Sequence, residues 1–149
     1  IPQIPLRLEL LGAGKIDSAV LAEPLATAAV ISGSKVLIST DKLDINPGIL
    51  LINQKFLETN KETVSAIYRA YNKAVDFIKN NSKESYIDDI IRAMGFPEAA
   101  RDLMELPEYT HASAPAEKEI SDVSAWLYSR DLIKKEYTYN ELVDSSCLP

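Results

Sequence analysis

The side chains able to do chemistry are few. The chain has one histidine, one cysteine and 22 carboxylates. His111 lies in a proline-rich stretch, "EYTHASAP", with no partner close by in the sequence, and reads as a solvated loop histidine. Cys147 stands two residues from the C-terminus, with no neighbour to stabilise a thiolate. Zinc chemistry would need an HExxH motif or a cysteine pair, and the sequence has neither. "GAGK", residues 12 to 15, is too short for a phosphate-cradling loop and lacks Ser or Thr after the lysine. Asp88 and Asp89 are adjacent, so on a helix they diverge by about 100°. They read as a solvated face rather than an acid–base pair. No residue is assigned to catalysis or to a metal, and no cofactor is expected.

Glu23 is the carboxylate in the least ordinary setting. It interrupts "IDSAVLAEPLATAA", residues 16 to 29, between the apolar run Ala19, Val20, Leu21 and the apolar segment that starts at Leu25. A carboxylate just beyond a buried strand is costly unless it is solvated, paired or bound to something. In open α/β sheets, ligands bind beyond the carboxyl ends of the strands. Position alone leaves both alternatives open: a ligand group, or an exposed loop residue that caps the helix beginning near Pro24.

The elements that would position Glu23 follow from composition and periodicity. A chain of 149 residues, 46% apolar and 26% charged, suffices for one globular domain burying about 70% of its unfolded surface. The net charge of −6 disfavours a nucleic-acid partner and an anionic membrane surface, both of which need a basic face. One cysteine fixes no redox compartment. No apolar run reaches the ~20 residues of a membrane helix. "IPQIPLRLELLG" has neither an initiator Met nor a secretory signal, so the chain is expected to be a fragment or a processed form.

Three strands are predicted: Ser18 to Leu21, "KVLIS" at 35 to 39, and "GILLIN" at 48 to 53, apolar on both faces as in a covered sheet. A short helix after Pro5 and a second from Leu25 to Ser32 accompany them. A polar loop runs from Thr40 to Pro47, with a turn at "NPG". Helices dominate after residue 55. Thr59 and Glu62 stand in a capping-box relation ahead of a stripe of Val64, Ile67, Tyr68, Tyr71, Ala74, Val75 and Ile78. Ser82 is placed to cap a helix with Tyr86, Ile87, Ile90, Ile91 and Met94 inward, stopped by Gly95. Pro115 opens a helix to about Leu132 that buries Ile120, Val123, Trp126 and Leu127, and "RDLIKKE" puts cations at its end. Thr138 and Glu141 form a second capping box. The expected class is α/β, although three strands make a thin sheet.

The segment "LRLELLGAGKIDSAVLAEPLATAA" resembles bacterial ABC-transporter substrate-binding proteins of the nitrate, sulfonate and taurine type, the thiamine-pyrimidine-precursor-like group. The likeness continues through "KVLIS", "GILLINQKFLETNKETVSAIYRAYNKAVDFI" and "WLYSRDLIKKEYTYNELVD". It departs at Ala22, where the family often has Pro, and leaves the Glu-Pro pair intact. The resemblance implies the C-terminal portion of a two-lobed, type II periplasmic-binding-protein-like α/β fold. Residues 1–47 would end the second lobe, and residues 48–149 would supply the crossing strand and the returning part of the first lobe.

It also implies a function. The chain would be a solute-binding component of an ABC importer, outside the cytoplasm, closing about a hinge on a small ligand and recognised by the membrane subunits. Glu23 would contact the ligand, Pro24 would set its direction, and Thr27 would stand one turn on. Two alternatives share that architecture: a pyrimidine-precursor synthase, which needs a histidine and a cysteine-rich motif, and a sensory domain. Alone, the chain is expected to bind ligand poorly and to associate with itself, as a swapped dimer.

Overall fold

A computed structural model describes residues 1–40, 48–104 and 106–149. Its regular elements are helices: α1 (Ile4–Gly12), α2 (Leu25–Ile31), α3 (Gln54–Thr59), α4 (Lys61–Asn80), α5 (Ile87–Met94), α6 (Ala100–Leu103), α7 (Glu117–Ser129) and α8 (Tyr139–Leu142), with a 3-10 turn at Lys83–Ser85. The chain divides into two compact units. Ile1–Asn46 joins Asn80–Glu108 in one, and Pro47–Lys79 joins Tyr109–Pro149 in the other.

The α/β expectation is overturned, because the described residues contain no strand. All three predicted strands are irregular and lie largely in solvent. Val20 is 81% exposed, Leu37 85% and Leu51 82%. Among the described residues, the main chains of Val36 to Ile38 and of Ile49 to Leu51 make no hydrogen bond. The physical reason lies in where each element finds its partners. A helix satisfies its own N–H and C=O groups four residues away, whereas a strand depends on a neighbour to supply the ladder. The apolar, β-branched composition was legible; among the described residues no segment pairs with it. The loop expected at Thr40 to Pro47 lies almost wholly outside the described residues, as do two of the three "NPG" turn residues.

In the first unit the core is small. Ile87, Ile91, Ala100 and Met104 are buried together, with Ile90, Phe96 and Leu106 packed on them. Thus α5 buries one face as its pattern predicts, but Met94 is 58% exposed. Gly95 ends α5 at φ +70°, and the Phe96 N–H closes back onto the Ile91 carbonyl at 3.0 Å, the left-handed closure that favours glycine. Ser82 makes no side-chain cap. Lys83 Nζ donates to the Met104 carbonyl at 2.6 Å, tying the 3-10 turn to the end of α6. Asp88 pairs with Arg101 and Asp89 with Arg92, each at 3.3 Å and all exposed, as a solvated face requires. Helix α2 packs against α1 and α6, burying Thr27 and Ala29.

In the second unit α4 buries Val64 and Val75 and leaves Ile67, Tyr71 and Ala74 exposed. The covered face is one flank of the predicted stripe, and polar side chains work on it. Ser65 Oγ donates to the Cys147 carbonyl at 3.0 Å, and Asn72 Oδ1 accepts the Ala112 N–H at 2.7 Å. Thr59 does not cap α4: its hydroxyl donates back to the Lys55 carbonyl, and Glu62 pairs with Arg69. On α7 the expected inner face is also corrected. Ser124 is buried, whereas Val123 and Trp126 are 56% and 54% exposed. Ser124 Oγ accepts the Tyr137 N–H at 2.6 Å, so the hydroxyl anchors the returning chain. Arg130, at the end of α7, lies over the Trp126 ring, 5.4 Å from its centre.

Thr138 and Glu141 do meet. Glu141 Oε2 accepts from the Thr138 N–H and hydroxyl at 2.8 and 2.9 Å, while Oε1 takes Lys135 Nζ at 2.5 Å. The Lys135 hydrogen bond first, then the two from Thr138, hold the Glu141 carboxyl down to about 2, against an ordinary 4.5. A lowered folded value gives stability that is present above the ordinary value and lost as pH falls through the folded one. Glu141→Gln should therefore flatten the acid-side loss of stability between pH 4.5 and about 2, read from melting temperatures across that window. The same pair raises Lys135 above its usual range, so its share is present below the ordinary lysine value and fades as pH rises through the raised one.

Candidate functional site

The site is built around the Glu23–Pro24 turn. The Ala22 carbonyl accepts the N–H groups of Leu25 and Ala26 at 2.9 and 3.1 Å, and Pro24 stands at the N-cap of α2, where its missing N–H costs nothing. The Glu23–Pro24 peptide is cis. Glu23 Oε2 accepts the Thr27 N–H at 3.1 Å. It satisfies one of the donors a helix start leaves over. The capping role left open by the sequence is thus realised. Glu23 nonetheless stays exposed, and among the described residues its carboxylate makes no other hydrogen bond or ion pair. One oxygen is spoken for, and the other has no partner among the described residues.

Thr27 meets Glu23 through its main chain. Its side chain is buried, 7% exposed, on the face of α2 turned to the rest of the unit. Of the three residues singled out, Glu23 is the one able to offer a charged group to a ligand. Pro24 fixes where the helix begins. Arg7 orders the approach to this turn: its Nε donates to the Ile1 carbonyl at 2.7 Å and its Nη1 to the Val20 carbonyl at 3.0 Å. A shallow concavity of about 280 Å³ lies beside it, lined by Ile1, Arg7, Ile16, Ser18, Ala19 and Val20, and Glu23 is not in that lining. A second, of about 380 Å³, is formed by Lys83, Tyr86, Met104 and Leu106.

Two features escaped sequence reasoning. His111 has a partner after all: its Nε2 lies 2.7 Å from Asp76 Oδ1 on α4, both half-exposed. The two are 35 residues apart, and no local pattern announces such a pair. Cys147 is 3% exposed rather than at a loose end, because the Ser65 hydroxyl holds its carbonyl against α4. Neither residue lies in the same unit as Glu23. Among the described residues no cluster of His, Cys, Asp or Glu could hold a metal ion, and no helix is long and apolar enough to cross a membrane. Compared with family models, with curated proteins and with solved structures, the chain matches none.

Proposed function

We propose that the chain serves the capture step of solute import, binding a small ligand for an ABC importer and performing no reaction on it. The carrying observation is Glu23, an exposed carboxylate anchored through one oxygen and open at the other. The anchoring matters because a pre-oriented acceptor loses less freedom on binding than a free side chain. The resemblance quoted above, which runs in order through nearly the whole chain, supports the same reading. A carboxylate in this role selects a ligand with a cation or a strong hydrogen-bond donor. Closure of two α/β lobes is not part of the proposal, since the described residues have no sheet. Recognition by membrane subunits and a place outside the cytoplasm follow from the resemblance and belong to the same proposal.

The test is a thermal-shift panel of small ammonium and guanidinium compounds on the wild-type chain and on Glu23→Gln. Glutamine keeps a carbonyl to accept the Thr27 N–H, so the variant removes the charge and spares the cap. A ligand present at a hundred times its Kd should raise the melting temperature by about 5–10 °C, and Glu23→Gln should abolish the rise. A panel without any shift, or a shift that survives in Glu23→Gln, sinks the assignment.

A further inference from the structure

Five arginines stand in the sequence, and Arg7 differs from the other four. Arg69, Arg92 and Arg101 each meet a carboxylate, and Arg130 lies over the Trp126 ring. Arg7 is half-buried, and among the described residues it meets carbonyls alone. Nε donates to Ile1 and Nη1 to Val20, so two of the five N–H groups of a guanidinium are spent and three are left. The two tethers hold the planar head in place beside the concavity of about 280 Å³ that it lines with Ile1, Ile16, Ser18, Ala19 and Val20. The guanidinium is the one side-chain charge on that lining, because Asp17 lies between two lining residues without joining them. The Ser18 hydroxyl and the N–H groups of Ser18, Ala19 and Val20 make no hydrogen bond among the described residues, so further donors adjoin the cation. The rest of the lining is apolar, with Ile1 53% and Val20 81% exposed.

We propose that this concavity is a binding site for a small aliphatic carboxylate, with the Arg7 guanidinium as its anchor. A carboxylate offers two acceptor oxygens in a plane, which is what a guanidinium fork pairs with best. Ser18 supplies a hydroxyl donor at the edge of the same lining. The ligand's chain would lie on Ile1, Ile16, Ala19 and Val20, taking from water the apolar surface that these residues expose. The space falls just below the ~300–1,000 Å³ of sites for drug-sized molecules, so the chain is a short one. Because Arg7 is already fixed by two carbonyls, little side-chain freedom is lost when the anion arrives. The site does not rest on the solute-binding reading of Glu23, which is absent from this lining.

Amide NMR on the intact chain, titrated with butyrate at constant ionic strength, tests the proposal. Shifts should appear at the amides of Ser18, Ala19 and Val20 and at the Arg7 Nε–H, with a Kd on the order of 1 mM for a ligand of so few atoms. Arg7→Gln should weaken binding by about tenfold or more, and Arg7→Lys, which keeps the charge and loses the fork, by a smaller factor. Ser18 is exposed, so Ser18→Ala spares the fold and should weaken binding about threefold. If the spectrum shows that Arg7→Gln does not fold, Ser18→Ala carries the decision. Butanol has the tail without the charge, and inorganic phosphate has the charge without the tail. Each should bind at least about tenfold more weakly than butyrate. Glu23→Gln should bind butyrate no more weakly than the wild type, which separates this site from the solute-binding reading. An absence of shifts, shifts confined to other residues, binding that survives both Arg7→Gln and Ser18→Ala, or butanol or phosphate bound as tightly as butyrate would each overturn the proposal.

Discussion

Ile87→Ala is expected to lower the unfolding free energy by about 3 kcal/mol, within the range found when a buried isoleucine is cut back to alanine. Ile87 is 1% exposed and is among the largest fully buried side chains, with Ile91, Ala100 and Met104 as its buried companions. So few buried side chains leave little to compensate. The truncation removes three carbons from the middle of this cluster. Ala100 is fully buried and close-packed, so the helix pair α5 and α6 can collapse onto the void only by shifting backbone. Ile90→Ala, one residue short of a full turn away and only partly buried, should cost less than half as much. Urea unfolding followed by far-ultraviolet circular dichroism measures both. The midpoint should fall for Ile87→Ala with the slope unchanged, and equal midpoints for the two variants would show that the cluster is not the unit's core.

Val75→Asp should cost still more, about 4 kcal/mol or above at neutral pH, because it buries a charge with no partner. Val75 is 2% exposed on the covered face of α4, between Asn72 and Ile78. The pH dependence has a definite sign. Burial disfavours the charged form, so the new carboxyl would have a folded pKa above the ~3.9 of an unfolded aspartate. The penalty is therefore full above the raised value and shrinks as pH falls through it. Val75→Asn, which cannot ionise, should show a smaller penalty that stays constant with pH. Melting temperatures of the two variants between mildly acid and neutral pH separate these cases. A pH-independent cost for Val75→Asp would mean that the position reaches water.

Much of the helical half was readable before any coordinates. Pro5 in the first turn of α1, α2 from Leu25, the arrest of α5 at Gly95 and the Thr138–Glu141 interaction all depend on contacts within a few residues. Local signals can specify local contacts. The inner faces were only partly right: Ile67, Tyr71 and Ala74 on α4, and Val123 and Trp126 on α7, remain exposed. A helix wheel shows which residues could be buried, while burial itself needs something to lie against them. Ser65, Asn72 and Ser124 were passed over for the opposite reason. Nothing in a polar residue's own neighbourhood says that a loop from far along the chain will hydrogen-bond to it.

By itself the sequence determined the start of α2, the stop of α5, the Thr138–Glu141 interaction, the acidic balance and the scarcity of nucleophiles. Only the tertiary structure decided that Glu23 spends one oxygen on the Thr27 N–H, that His111 answers Asp76, and that Cys147 is buried. It also decided that, among the described residues, neither "KVLIS" nor "GILLIN" forms a strand. The division follows from reach. Helical hydrogen bonds, caps and turns close over three to five residues and are written in the residues themselves. A strand, a histidine–aspartate contact across 35 positions or a buried terminus requires a second segment to arrive, and its arrival is a property of the whole fold.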